Sequence, residues 1–234
     1  MPLKSLKKEL RDIADPEIAE HSMRFFKTGK GEYGEGDKFL GIRVPVLRQL
    51  AKKYRDLELP DIKKFLQSSF HEERLCALIM LVNKFLKGSE KVKKDIFKFY
   101  IGSIDYINNW DLVDSSAHYI VGVYLEKRDR DILYKMAESD NLWKRRIAII
   151  STFHLIKKKI FKDALFISEV LLKDKEDLIH KAVGWMLREI GKRDISAEKD
   201  FLDKHYQEMP RTMLRYAIER FQETERQKYL KGLV

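Results

Sequence analysis

From Asp61 to Met209 the chain contains no proline, and this gap constrains the fold more than any other feature. Proline inside a helix removes a hydrogen bond and clashes with the preceding turn, so a long proline-free stretch is open to uninterrupted helices. The five prolines lie at positions 2, 16, 45, 60 and 210. Several stand where a helix should begin. In "ADPEIAEH" Asp15 is placed to cap and Pro16 to take the first helical position, and Pro45 sits at the start of "RVPVLRQLAKKY". In the latter, Val44, Leu47, Leu50, Ala51 and Tyr54 recur at spacings of three and four, which marks one buried helical stripe. No segment alternates with the period of two that an amphipathic strand needs. The expectation is an all-α protein.

Small residues in the middle of the apolar helices suggest a repeat. Ala77, Ser115, Ala148, Ala182 and Ala217 are separated by 38, 33, 34 and 35 residues. Two helices and two short loops fill such a period. Units of this length that cannot bury their faces alone stack as HEAT-like repeats, into a helical solenoid whose second helices line a concave surface. Residues 1–234 are accordingly read as a single domain with a basic inner face. The competing reading is that any all-helical chain offers alanines to align.

A formal net charge of +10 and a pI near 9.4 point to a basic surface and to a polyanionic partner. The only cysteine, Cys76, lies in the apolar run "CALIMLV", which excludes a disulfide scaffold or a cysteine-ligated zinc site. The six histidines show no H-x-x-x-H spacing, so no metal or other cofactor is expected. No apolar run approaches the roughly 18 residues that span a bilayer, so a cytoplasmic protein without membrane attachment is expected. "TGKGEYGEG" places Gly29, Gly31 and Gly34 in a G-x-G-x-x-G pattern. A helix rather than a strand precedes it, so it reads as a connector, not a dinucleotide site.

"NNWDLVDSS" sets Trp110 and Asp114 four residues apart, on one helix face. Later helices interleave aromatic and basic residues: Trp143, Lys144, Arg145 and Arg146; Lys181, Trp185 and Arg188; Arg211 and Arg215. Guanidinium groups pair with phosphates while indoles lie against sugars or bases, so such a series suits a nucleic-acid backbone. Each feature has a plainer explanation. The tryptophans fit an ordinary core, Trp143 above all, and Asp114 fits a local cap or salt bridge. Arg145 and Arg146 point about 100° apart, so at most one of them faces a groove directly.

The stretches "FFKTGKGEYGEGDKFLGIRVPVLRQLAKKY", "HEERLCALIMLV", "NNWDLVDSSAHYIVG", "NLWKRRIAIIS", "IHKAVGWMLREIGKRD" and "MPRTMLRYAIERF" occur in that order over nearly the whole chain. As a set the chain resembles the AlkD-type DNA glycosylases of the DNA alkylation repair family. The resemblance implies hydrolysis of the N-glycosidic bond of cationic alkylated purines, such as 7-methylguanine and 3-methyladenine, in duplex DNA without base flipping. It implies catalytic roles for Trp110, Asp114, Arg146 and Trp185. A one-residue loop difference would exchange Arg146 with Arg145. Arg145, Arg188, Arg211 and Arg215 are further candidates for DNA binding. No lysine is evident beside Asp114, so strand cleavage is not expected, and a monomer suffices to bind a groove. The alternative is a non-catalytic HEAT-like module that binds DNA.

Overall fold

The computed structural model describes residues 2–234. Apart from one isolated bridge between Lys38 and Phe70, no strand occurs among the described residues, and their regular structure is helical. It divides into two compact units, residues 1–116 and 117–234.

The first unit holds α1 (Pro2–Asp12), α2 (Pro16–Phe25), α3 (Val44–Lys53), α4 (Leu59–Leu66), α5 (His71–Lys87), α6 (Glu90–Ile101) and the short α7 (Trp110–Asp114). Asp15 caps α2 by accepting from the amides of Glu17 and Ile18, with Pro16 at the first helical position. In α3, Leu47, Leu50 and Ala51 are buried as expected, but Val44 is exposed. The stripe therefore starts one turn later than the spacing predicts, because Val44 opens the helix before it reaches the core. The apolar α5 is buried over most of its length and packs on α3, α4, α6 and α7.

The second unit begins with a π-helical turn (His118–Gly122) that runs into α8 (Val123–Leu125). Then follow α9 (Asp131–Ala137), α10 (Leu142–Lys157), α11 (Lys162–Val170), α12 (Asp177–Gly191), α13 (Ile195–His205), α14 (Arg211–Ala217) and α15 (Glu223–Lys231). Helices pack on near neighbours: α10 on α9, α11 and α12, and α12 on α11, α13 and α14. Such nearest-neighbour packing is the physics of a repeat array. The anchors Ala77, Ala148, Ala182 and Ala217 are all buried, and each lies on the second helix of a pair, whereas Ser115 is half-buried. Gly184 allows a close approach. A Cβ there would lie 2.4 Å from the Met213 carbonyl oxygen and 2.5 Å from the Tyr216 Cβ, so α12 and α14 pack backbone to backbone.

Candidate functional site

Helix α7 is only five residues long, far below the length at which a helix is stable by itself, so its neighbours must hold it. The Asn109 side chain accepts from the Trp110 amide at 2.8 Å. The half-buried Trp110 ring stacks on Phe26 (centroids 5.3 Å apart, planes at 22°) and meets Phe25 edge-on at 6.0 Å. Phe26 in turn stacks on Phe39, and both rings lie against His71. The indole is thus the end of an aromatic stack that α2 and the 37–43 loop build. Asp114 ends α7 and is half-buried, and its charge helps keep the buried Tyr100 phenol protonated, after burial itself.

The first turn of α5 secures this arrangement. His71, Glu72, Glu73 and Arg74 are all buried, and each carries a separate tie. His71 Nε2 lies 2.7 Å from Asp111 on α7, and Nδ1 lies 3.4 Å from Asp37. Arg74 donates to Asp37 at 2.7 Å. Glu72 accepts from the amides of Leu40, Gly41 and Ile42. Glu73 binds Arg11 of α1 at 2.7 Å. Burial alone would lower the His71 pKa, but the Asp111 charge and the hydrogen bonds to Asp111 and Asp37 outweigh it and push the value up to about 9. The imidazole is therefore a cation at neutral pH, donating from both nitrogens. Burial would likewise raise Asp37, yet His71 and Arg74 hold it below the usual carboxylate range. Gly41 is indispensable to this loop: its φ is +77°, and a Cβ would fall on the Asp15 carbonyl.

In the second unit Trp185 is half-buried on α12, donates to Glu189 at 3.3 Å and lies 5.6 Å from the Phe153 ring. Arg146 is buried on α10 and donates to the Leu178 carbonyl. Arg145 points elsewhere, gripping Asp174 at 2.6 Å and donating to the carbonyls of Ser139 and Asp140 at 2.9 Å. Its donors are taken by the fold, which weighs against the expectation of a DNA contact. Trp143 is buried. Arg188 pairs with Glu219, and Lys181 with Asp177 at 2.7 Å. Arg211 donates to the Leu230 carbonyl at 2.8 Å, and both Arg211 and Arg215 are exposed. The glycine loop is closed on itself: the Gly29 and Gly31 amides bind Glu32 and Glu35, so these N–H groups are not free to cradle a phosphate.

The family described as "DNA alkylation repair enzyme" matches residues 6–221. The chain belongs to this family. Solved structures share the fold. A protein from Enterococcus faecalis described as a predicted DNA alkylation repair enzyme superposes with a TM-score of 0.71 at 17% identity, covering 89% of this chain and 96% of its own. AlkD2 from Streptococcus mutans superposes with a TM-score of 0.55 at 18% identity, covering 92% and 98%. No curated protein sequence matches.

For a DNA alkylation repair enzyme the notable finding is how much of the setting of Trp110 lies outside the sequence motif that contains it. Phe26, Phe39, His71, Asp37 and Asp111 were not among the expected site residues. The "HEER" start of α5 was the available signal: four charged or polar residues directly before an apolar helix that is buried on all sides. A groove of about 750 Å³ opens in the same unit, lined by Phe25, Phe26, His71, Glu72, Asp111 and Arg43 among others. Among the described residues no group of histidine, cysteine and carboxylate side chains has a geometry that could hold a metal ion, and no helix is long and apolar enough to cross a membrane.

Proposed function

We propose that this protein is a monofunctional DNA glycosylase that hydrolyses the N-glycosidic bond of cationic N3- or N7-alkylated purines, such as 3-methyladenine and 7-methylguanine, in duplex DNA without flipping the base. Helix α7 carries the reading. It presents an indole fixed by stacking at its first residue and a half-buried carboxylate at its last, in a chain of the DNA alkylation repair family.

An alkylated purine of this kind already bears a positive charge. As the bond to C1′ breaks, the base takes the electron pair and leaves neutral, so little acid catalysis is needed, and the positive charge passes to the sugar. Asp114 stabilises that oxocarbenium character and accepts a proton from the water that adds to C1′. A unit charge pair at about 4 Å with an effective dielectric near 20 is worth roughly 4 kcal/mol, or about three decades in rate. Trp110 offers a π-face to the electron-poor sugar, a role that Trp185 shares as a candidate, each such contact contributing about 0.5 to 2 kcal/mol. Arg146, buried and donating to the Leu178 carbonyl, reaches a flanking phosphate with its remaining donors, with Arg188, Arg211 and Arg215 as outer contacts. The substrate partner is double-stranded DNA, and a monomer suffices.

The test is chromatography of the bases released from methylated duplex DNA by the purified protein and by Asp114→Asn. The variant is expected to lose on the order of a hundredfold to a thousandfold in rate while holding DNA affinity within a few-fold. Release of base by the variant at the wild-type rate would take Asp114 out of the mechanism. No release by the wild-type protein, with salt-sensitive DNA binding retained, would leave a non-catalytic DNA-binding module.

A further inference from the structure

At the end of α10 the Lys157 ammonium sits 4.0 Å from the centroid of Phe153 and 5.8 Å from that of Tyr119. The Arg193 guanidinium, just beyond α12, lies 6.0 Å from the same Phe153 ring. One aromatic ring therefore seats two cations. Arg193 is anchored to Glu189 at 2.9 Å, and Glu189 also accepts from Lys192 at 2.5 Å and from the Trp185 indole at 3.3 Å. The group thus contains three cations and a single carboxylate, already shared. The histidine on α10, His154, is engaged with Glu126 at 2.6 Å. Lys157 has no carboxylate partner among the described residues.

Two unlike influences favour keeping a proton on Lys157: the C-terminal carbonyls of α10, which it follows, and the more distant Glu189. They are outweighed. Partial burial, then repulsion from Arg193, hold its pKa below the usual lysine value. An exposed cation that faces a like charge, with its nearest carboxylate Glu189 already shared among other donors, gains from a bound anion. The aromatic seat holds it in place for that purpose.

We infer that Lys157 and Arg193, seated on Phe153 beside Trp185, form a binding site for a backbone phosphate of duplex DNA. This rests on the reading of the protein as a DNA-acting enzyme and adds a contact that the motif pattern does not name. The pair stands next to the indole that the glycosylase reading places against the sugar, so the bound phosphate belongs to a nucleotide close to the lesion. Lys157 binds as a point charge, and Arg193 adds a second donor whose orientation Glu189 fixes.

The experiment measures affinity for unmodified duplex DNA as a function of potassium chloride concentration, so that it does not depend on base release. Each phosphate contact contributes about 0.9 to the slope of log K against log salt. Lys157→Gln and Arg193→Gln are each expected to lower the slope by about 0.9 and to weaken binding roughly eightfold at 0.1 M salt, whereas Lys157→Arg retains both. Lys157 is exposed, so its variants are expected to unfold at the wild-type temperature. Replacing chloride by inorganic phosphate at constant ionic strength should leave wild-type affinity within twofold. An unchanged slope in Lys157→Gln overturns the site, as does selective displacement of DNA from the wild-type protein by inorganic phosphate. If the slopes shift as expected but methylated DNA releases no base, the phosphate site stands and the glycosylase reading falls. A wild-type protein that does not bind duplex DNA at low salt overturns both.

Discussion

Arg145 and Arg146 show how one residue's partners decide its role. Adjacent on α10, the two diverge by about 100°, and either suits a phosphate contact when only the sequence is read. Arg145 is the one held by several partners within the fold. It closes on Asp174, itself buried, and ties the Ser139 and Asp140 carbonyls to α10. Truncating one member of a buried ion pair leaves the other charge unpaired, so Arg145→Gln should destabilise the fold by about 3 kcal/mol. DNA affinity should change by less than twofold under conditions where the variant remains folded. Chemical denaturation and a binding titration read the two effects separately. A large loss of affinity with unaltered stability would return Arg145 to the interface.

At the scale of the element, α7 depends on α5. The His71–Asp111 pair joins the first turn of α5 to the middle of α7, and the stack from Phe39 through Phe26 to Trp110 fixes the indole. Since the folded-state pKa of His71 is raised from 6.5 to about 9, its contribution is fully present below about pH 6.5. It declines between 6.5 and 9 and is gone above 9, a change of about 3 kcal/mol over the window. His71→Gln should flatten the pH dependence of urea unfolding in that range and lower base release several-fold at pH 7.5. An unaltered pH dependence would mean that the imidazolium does not carry the link. Little of this is legible in the sequence. Pro16, the Leu47–Leu50–Ala51 stripe and the alanine anchors report on themselves through local spacing. His71, by contrast, meets Asp37 and Asp111, which are 34 and 40 residues away, and no local period encodes such a pairing. The Trp110 and Asp114 pair was visible because the helix repeat joins them, but the turn at Ser115 and Ser116 and the π turn after it carry no such signature.

For the molecule as a whole, the pI of 9.4 suggests that stability rises toward alkaline pH, as the self-repulsion of the excess positive charge falls. Two buried groups oppose that trend, one in each unit. His71 acts in the first. In the second, Glu198 on α13 is buried against Gly191 with Oε1 unsatisfied, and burial, against weaker attraction from Arg188 and Lys199, pushes its pKa up to about 8. The carboxyl is therefore neutral in the folded chain and ionised in the unfolded one between about pH 4.5 and 8. Folding takes up a proton there, so stability is fully present below 4.5 and is lost at about 1.4 kcal/mol per pH unit up to 8. Two buried groups with this sign outweigh a diffuse surface repulsion that salt screens. Calorimetry from pH 5 to 9 at 0.15 M salt should show the unfolding temperature falling, with no maximum near the pI. Glu198→Gln should match the wild type near pH 4.5 and exceed it by the widest margin at pH 8. A wild-type unfolding temperature that climbs from pH 5 to 9 would mean that surface charge, rather than these two buried groups, governs the pH response.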